Sequence, residues 1–384
     1  MLFTVVTFFI VLGILVLVHE MGHFVTARRA GIKVDEFGFG LPPRIVGFYK
    51  DENNKWQRVG LKTKETGRTI WSVNWLPLGG FVKIKGEQGE ASTDTDSFVN
   101  KSVWRRIWVI SAGVTMNLFL AVVLLSIGFA VGVPQTIDSQ NLPAGVRVRD
   151  RQIRVVEILS ESPAAKAEVK TADTIKSIDG QEFTAVEAVQ EYLAGKTDTP
   201  VTIVLRRGNE ELTKELTPQT LAETQKVGIG VALIQTAIIS YPWYTAWWHG
   251  LVETFKMIGG IIFAFFLMIK NLIISHQLVG EVYGPIGIAT LVGDAARLGF
   301  LYALQFTAIL SIIIAVINFL PFPSLDGGRV FFLVLEGLRK KPVNQKLENL
   351  MHNIGFALLM ILLLLVTFKD IARLSAGLFS QFGG

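Results

Sequence analysis

His19, Glu20 and His23 stand in the order H-E-x-x-H within Val18–Phe24. On a helix, residues four apart share a face, so both imidazoles can be offered to one zinc ion with Glu20 beside them as general base. No charged side chain lies between Leu2 and Val18. At ~1.5 Å per residue, His19 falls roughly 27 Å along a helix begun at Met1, near the far face of a hydrocarbon core about 30 Å thick. A chance match is a poor account, because ionisable groups placed in lipid are costly and mark function. Zinc hydrolases use three protein ligands and leave the fourth position to water. Asp326, which follows an uncharged run from Phe300 to Leu325 and precedes Gly327-Gly328, is the best third ligand, since so deep an acid requires compensation. His249 and His276 are expected on the outer side, and His352 as a surface or interfacial histidine.

Half of the 384 residues are hydrophobic and 18% are charged, with a mean hydropathy of +0.44. That balance describes a polytopic α-helical membrane protein carrying a soluble part, with the lipid bilayer as its first partner. Cysteine is absent, which excludes disulfides and thiolate ligands. The net charge of +5 is explained by Lys and Arg in segments expected to face the cytoplasm, and no nucleic-acid partner is implied.

Residues 1–30 are expected to form the first transmembrane helix. Residues 31–103 read as a cytoplasmic, membrane-associated β region, with alternation around 56–62 and 69–75 and an apolar stretch from Leu76 to Ile84. Residues 104–133 form a second span, in which Gly113 and Asn117 share a helical face, fitted equally to helix packing alone or to a place beside the site. Residues 134–239 turn charged and alternating, with a helix at 186–194, as befits one extracytoplasmic α+β domain. The part at 240–299 reads as amphipathic or interfacial. Residues 300–328 form a third span, 329–352 a cytoplasmic loop, and 353–384 the last span and tail. A crossing at 251–274 would carry Asp326 to the side away from His19. That stretch is therefore expected along the surface or as a hairpin, leaving about four spans with both termini outside.

Taken together, these motifs resemble a known family. The segment from Ser160 to Gly180 is similar to the bacterial PDZ signature, with Glu168 and Ala172 where glycines are usual. His19 to His23, Gly38-Phe39-Gly40, Leu76 to Lys83, Gly113 to Asn117, Gly284 to Ala289 and Asn318 to Gly328 resemble the site-2 proteases, intramembrane zinc metalloproteases, of the bacterial regulator-of-sigma-E protease type. The resemblance implies that His19, His23 and Asp326 bind Zn2+ and that Glu20 is catalytic. It implies that Asn318 contacts substrate and that the strand around Leu78, Gly79, Gly80 and Phe81 supplies an edge for it. It further implies a bacterial inner membrane location, an active site near the cytoplasmic side, and single-span membrane protein substrates such as anti-sigma factors or remnant signal peptides. The PDZ-like domain would filter by size or take a peptide ligand by strand addition. Two other readings stay open: a membrane-anchored chaperone or scaffold with an inactive zinc site, and a zinc protease whose site faces water.

Overall fold

The computed structural model describes residues 2–61, 66–87, 94–137, 145–208, 210–221, 226–276 and 282–382, with backbone alone at 41, 76–78 and 374–382. The chain divides into one unit of Met1–Ser126 with Trp248–Gly384 and a second of Ile127–Trp247.

The first unit is built on helices α1 (Leu2–Arg29), α2 (Val103–Val131), α5 (Trp243–Ser275), α6 (Pro285–Leu298), α7 (Phe300–Phe319), α8 (Asp326–Arg339) and α9 (Gln345–Phe382). Helices α1, α2, α5, α7 and α9 are long and apolar enough to cross a membrane, which is one more than the four expected. Helix α5 is unbroken, so a hairpin within 251–274 is excluded. Its Phe255, Ile262, Phe263, Phe266, Ile269 and Ile273 are exposed and fall along one broad face of the helix. The cytoplasmic loop expected at 329–352 is instead largely helical, formed by α8 and the first turns of α9. Two of its charges are ion-pair partners on an amphipathic helix: Glu336 pairs with Arg106 of α2 and Arg329 with Glu87, while Leu333 on the apolar face is buried.

Helices α1 and α2 approach at backbone distance. A Cβ on Gly22 would lie 2.3 Å from the carbonyl oxygen of Ala112, so only glycine fits between the two histidines of the motif. Against the ends of these helices lies a sheet of β1 (Val34–Lys50), β2 (Trp56–Val59) and β3 (Ile70–Ile84) in the order β2-β1-β3. The β region is thus where the sequence places it. Its core joins Phe24 and Ala27 of α1, Val34, Phe37 and Ile84 of the sheet, and Val109 and Ile110 of α2. Phe24, Phe37 and Trp71 meet as a ring cluster with centroids 5.1 to 5.4 Å apart, which fixes the sheet on α1.

Both long strands fold back on themselves. Phe37, Gly38 and Phe39 each have two partners in β3, namely Trp71, Ser72 and Val73 on one side and Val82, Phe81 and Gly80 on the other. Gly38 makes this possible, because a Cβ there would fall within 2.7 Å of Phe81, Ser72 and Asn74 side chains. The consequence is that the Gly80–Ile84 arm of β3 pairs with β1 on one side only. Among the described residues its other side is an open strand edge.

The second unit holds a six-stranded antiparallel sheet in the order β4-β11-β5-β6-β7-β8, formed by Val133–Thr136, Val231–Ser240, Arg147–Ile158, Thr174–Ile178, Val201–Arg207 and Glu210–Leu216. A short pair, β9 (Gln219–Thr220) with β10 (Val227–Gly228), and helices α3 (Pro163–Lys166) and α4 (Val186–Ala194) complete it. Ile153, Ile178, Val189, Ile203 and Leu205 form the middle of its core. Inside it, Asp173 is fully buried and takes two hydrogen bonds from Arg207, at 2.7 and 2.8 Å. Burial raises the Asp173 carboxyl, but Arg207 and the Lys170 N–H outweigh it and hold it below the usual carboxylate range.

Candidate metal centre

Helix α1 brings His19, Glu20 and His23 to the face it shares with α2, and the turn between α7 and α8 brings Asp326 to them. The carboxylate oxygen Oδ2 of Asp326 lies 3.0 Å from His19 Nε2 and 3.4 Å from His23 Nε2. The two Nε2 atoms are 3.2 Å apart. These three edges are close to the ~3.3 Å edge of a tetrahedron with metal–ligand bonds of about 2.0 Å. Both histidines are buried, and Oδ2 of Asp326 is buried without a hydrogen-bond donor.

Second contacts fix which nitrogens face one another. His23 Nδ1 lies 2.9 Å from the carbonyl oxygen of Val109, which can only accept, so Nδ1 carries the proton and Nε2 a lone pair. His19 Nδ1 lies 3.5 Å from the carboxamide of Asn117, whose Oδ1 is otherwise buried without a partner. Turning that amide over, an assignment open to any Asn side chain, lets His19 Nδ1–H donate to Oδ1. Asn117 is itself held by Ser311 of α7, whose hydroxyl donates to the Asn117 carbonyl at 2.8 Å. Two imidazole lone pairs and a carboxylate oxygen then converge with no proton between them. The donor set of two histidines and one carboxylate, converging at this spacing, fits zinc.

Glycines make the room. A Cβ on Gly113 would lie 2.4 Å from His23 Nε2 and 2.7 Å from His19 Nε2. Gly327 and Gly328 let the preceding turn fold onto the start of α8, since a Cβ on either would come within 2.3 Å of the carbonyl oxygens of Phe319, Leu320 or Phe322. The turn is also held from α9, where His352 Nδ1 accepts the Ser324 N–H at 2.8 Å and Gly355 abuts Pro323. His352, half-buried, is therefore a partner of the Asp326 turn, a contact that its expected surface or interfacial place does not include. The signal that could have found it is its place in a charged helix start, opposite a Pro-rich turn that needs an acceptor.

Gly113 and Asn117 thus lie beside the His19, His23 and Asp326 group. Gly79 and Gly80 lie against α1: a Cβ on Gly79 would meet Val16 at 2.5 Å, and one on Gly80 would lie 3.5 Å from Glu20 Cγ. Phe81 follows on the same arm of β3; for Leu78 the backbone alone is described, as strand. Asn318 sits half-buried in the last turn of α7, with no hydrogen bond to its side chain among the described residues. Sequence reasoning missed the Val109 carbonyl, which no side-chain pattern encodes, and Gly22, whose small neighbours Ala112 and Gly113 were the available sign.

Comparison with known proteins agrees with this chemistry. Residues 7–362 match the model of Peptidase family M50. The chain belongs to that family. It is 32% identical to a Clostridium perfringens protein provisionally named a zinc metalloprotease, over 93% of this chain and 95% of the relative. It is 27% identical to the regulator of sigma-W protease RasP of Bacillus subtilis, over 97% and 99%. Among solved structures, the PDZ domain of an SdrC-like protein from Listeria monocytogenes is similar over 23% of this chain and 92% of that domain, at 23% identity and a TM-score of 0.21. As a member of this family with five apolar helices of spanning length, the chain is an integral membrane zinc metalloprotease.

Proposed function

We propose that this protein is an intramembrane endopeptidase that cuts single-span membrane proteins within the bilayer. The observation that carries the reading is the open edge of β3 running past Glu20 at Gly80, beside the three converging ligands. A substrate helix has its backbone groups bonded internally, so its carbonyls are shielded until it unwinds. Adding an unwound segment to that edge exchanges helix bonds for ladder bonds and presents a carbonyl next to Glu20. His19, His23 and Asp326 would hold a zinc ion, which when bound would supply Lewis acidity toward the attacking water and the peptide carbonyl. Glu20 takes the proton of the attacking water and returns it to the leaving amine. Asn117 and the Val109 carbonyl keep the two imidazoles aimed, and Asn318, with its carboxamide uncommitted, anchors the substrate backbone.

Four spans, α1, α2, α7 and α9, account for the packing. Gly250 near the start of α5 rests on Ser126, near the end of α2, and Gly293 of α6 rests on Thr4, at the start of α1. Gly284 and Gly287 rest against Asp370 of α9, and the Gly287 N–H donates to its carboxylate at 2.7 Å. Asp370 lies 18 residues beyond His352 (370 − 352), or roughly 27 Å along the helix. The start of α5 and the Gly284–Gly287 end of α6 are therefore level with the end of the bundle farthest from the metal centre, while Ile288 and Val292 of α6 pack with Val11 and Leu15 of α1. If α5 crossed, the eight residues between Ser275 and Gly284 would have to return the chain through the hydrocarbon core, a distance they cover only fully extended and with backbone groups unsatisfied in lipid. Helix α5 accordingly lies along the outer leaflet. The region between α2 and α5 is extracytoplasmic, and the metal centre is near the cytoplasmic side of a bacterial inner membrane. Because the chain has no cysteine, single introduced thiols report cleanly. Ser275→Cys is expected to label from the outer side and Lys341→Cys from the inner. Labelling of both from one side would overturn the four-span arrangement.

The extracytoplasmic unit is PDZ-like in this reading. Residues Val231–Ile234 of β11 pair with β5 on one side and have no strand on the other among the described residues. A cavity of about 560 Å³ lined by Gln190 and Leu193 of α4 follows that free edge, a form suited to an extended peptide. Substrates of the anti-sigma-factor or remnant-signal-peptide class match this combination of an outer peptide groove and a membrane-level cutting site. The test is cleavage of a purified single-span reporter in detergent. Products cut within the apolar segment, abolished by a chelator and restored by zinc, are expected; cuts confined to soluble flanks would contradict the reading.

A further inference from the structure

On the side of the bundle nearer the metal centre, five cations have acidic partners: Lys33 with Asp35, Arg44 with Glu36, Lys85 with Asp94 and Asp96, Arg106 with Glu336, and Arg329 with Glu87. Arg29, Lys101 and Arg105 do not, among the described residues. They line one cavity of about 630 Å³ between the end of α1 and the start of α2, and no acidic side chain lines it with them. Gly31, in the left-handed region at φ +68°, ends α1 so that Lys101 Nζ lies 3.4 Å from where its Cβ would be. The ammonium group is thereby brought beside Arg29. Trp104 and Trp108, four residues apart on one face of α2, border the same cavity and are 79% and 69% exposed.

The level of this cavity follows from the charge pattern. Arg29 closes α1, while Lys101 and Arg105 immediately precede the uncharged run from Ile107 to Val133. Three cations at the boundary of an apolar run, with two exposed indoles beside them, match the headgroup layer, where tryptophan rings partition and basic side chains meet lipid phosphates. An unpaired group of three positive charges attracts an anion, and the adjacent indoles offer apolar surface for the chain attached to it.

We infer that Arg29, Lys101 and Arg105, with Trp104 and Trp108, form a binding site for the headgroup of an anionic phospholipid, which bridges α1 and α2 beneath the metal centre. The inference rests on reading α1 and α2 as membrane spans, but not on zinc or on cleavage. The two can fail separately, because the readout is lipid binding alone.

The full-length protein is reconstituted in phosphatidylcholine nanodiscs containing spin-labelled phosphatidylglycerol or, in parallel, spin-labelled phosphatidylcholine. The immobilised fraction is measured for each lipid. A preference of about tenfold or more for phosphatidylglycerol is expected from three cations at the surface. Substituting Arg29→Gln, Lys101→Gln and Arg105→Gln together is expected to abolish it, and Arg29→Lys with Arg105→Lys to retain it. Equal neutralisation of Arg339, Lys340 and Lys341 is expected to leave it unchanged. Equal immobilisation of the two lipids by the wild type would overturn the site. So would a loss of preference in the Arg339, Lys340 and Lys341 variant as large as in the site variant, which would show diffuse surface charge. Displacement of the labelled lipid by millimolar inorganic phosphate as effectively as by unlabelled phosphatidylglycerol would also overturn it, assigning the cavity to free phosphate.

Discussion

Glu20→Gln is expected to keep zinc at the wild-type level and to lower cleavage of a single-span substrate by about 10²–10⁴-fold, the range over which a positioned acid–base group contributes. The substitution changes no volume and leaves the side chain packed against Gly80. It also leaves intact the group of atoms able to hold a metal, which comprises His19, His23 and Asp326 and not Glu20. What is lost is the capacity to take and return a proton. Parallel assays of metal content and of product formation separate the two effects, and undiminished cleavage by the variant would sink the assignment of Glu20 as base. The same result would favour a scaffold or binding role for the fold over hydrolysis, so one variant discriminates between the two classes of function.

Gly113→Ala is the second large effect. Its new methyl group would lie 2.4 Å from His23 Nε2 and 2.7 Å from both Cε1 and Nε2 of His19, which is inside van der Waals contact with both ligands at once. Imidazoles at the ends of free side chains could swing aside. These cannot, because His23 is tied to the Val109 carbonyl and His19 to Asn117. Either the ties break or α2 moves away from α1, and Gly22 against the Ala112 carbonyl shows how little slack that contact has. Loss of a second contact to a ligand costs 10- to 100-fold in metal affinity, and displacing the ligands themselves is expected to cost more than about 100-fold. Gly259→Ala provides the comparison, since nothing lies within 4 Å of a Cβ there. Zinc retention against a competing chelator should fall for the first variant and stay unchanged for the second. Equal retention would mean that the two histidines are not joint ligands.

Much of this arrangement is legible in the sequence because single residues or uniform runs encode it. The uncharged run before His19 gives α1, the motif gives its ligand face, and alternation gives β6 and the span of the small domain. The helix expected at 186–194 is α4 at the same residues. What the sequence hides is what depends on two distant segments meeting. The doubled pairing of Gly38 between two arms of β3 has no local signature beyond a glycine among aromatic residues. The helical character of 329–339 is masked by charges whose partners, Arg106 and Glu87, come from elsewhere in the chain. The contact of His352 is hidden for the same reason, because its partner is a backbone N–H in another element. Helix α5 is the converse case. Its composition alone satisfies a span, and the neighbours of Gly250, Gly284 and Gly293, on which the four-span proposal rests, have no local signature.

The central claim is that one zinc ion is held jointly by His19, His23 and Asp326. Metal content of the detergent-purified protein, wild type against Asp326→Ala, tests it most directly. The account predicts about one zinc per chain in the wild type, the number one three-ligand site holds, and little or none in Asp326→Ala after brief dialysis against a weak chelator. Equal zinc in both would contradict it.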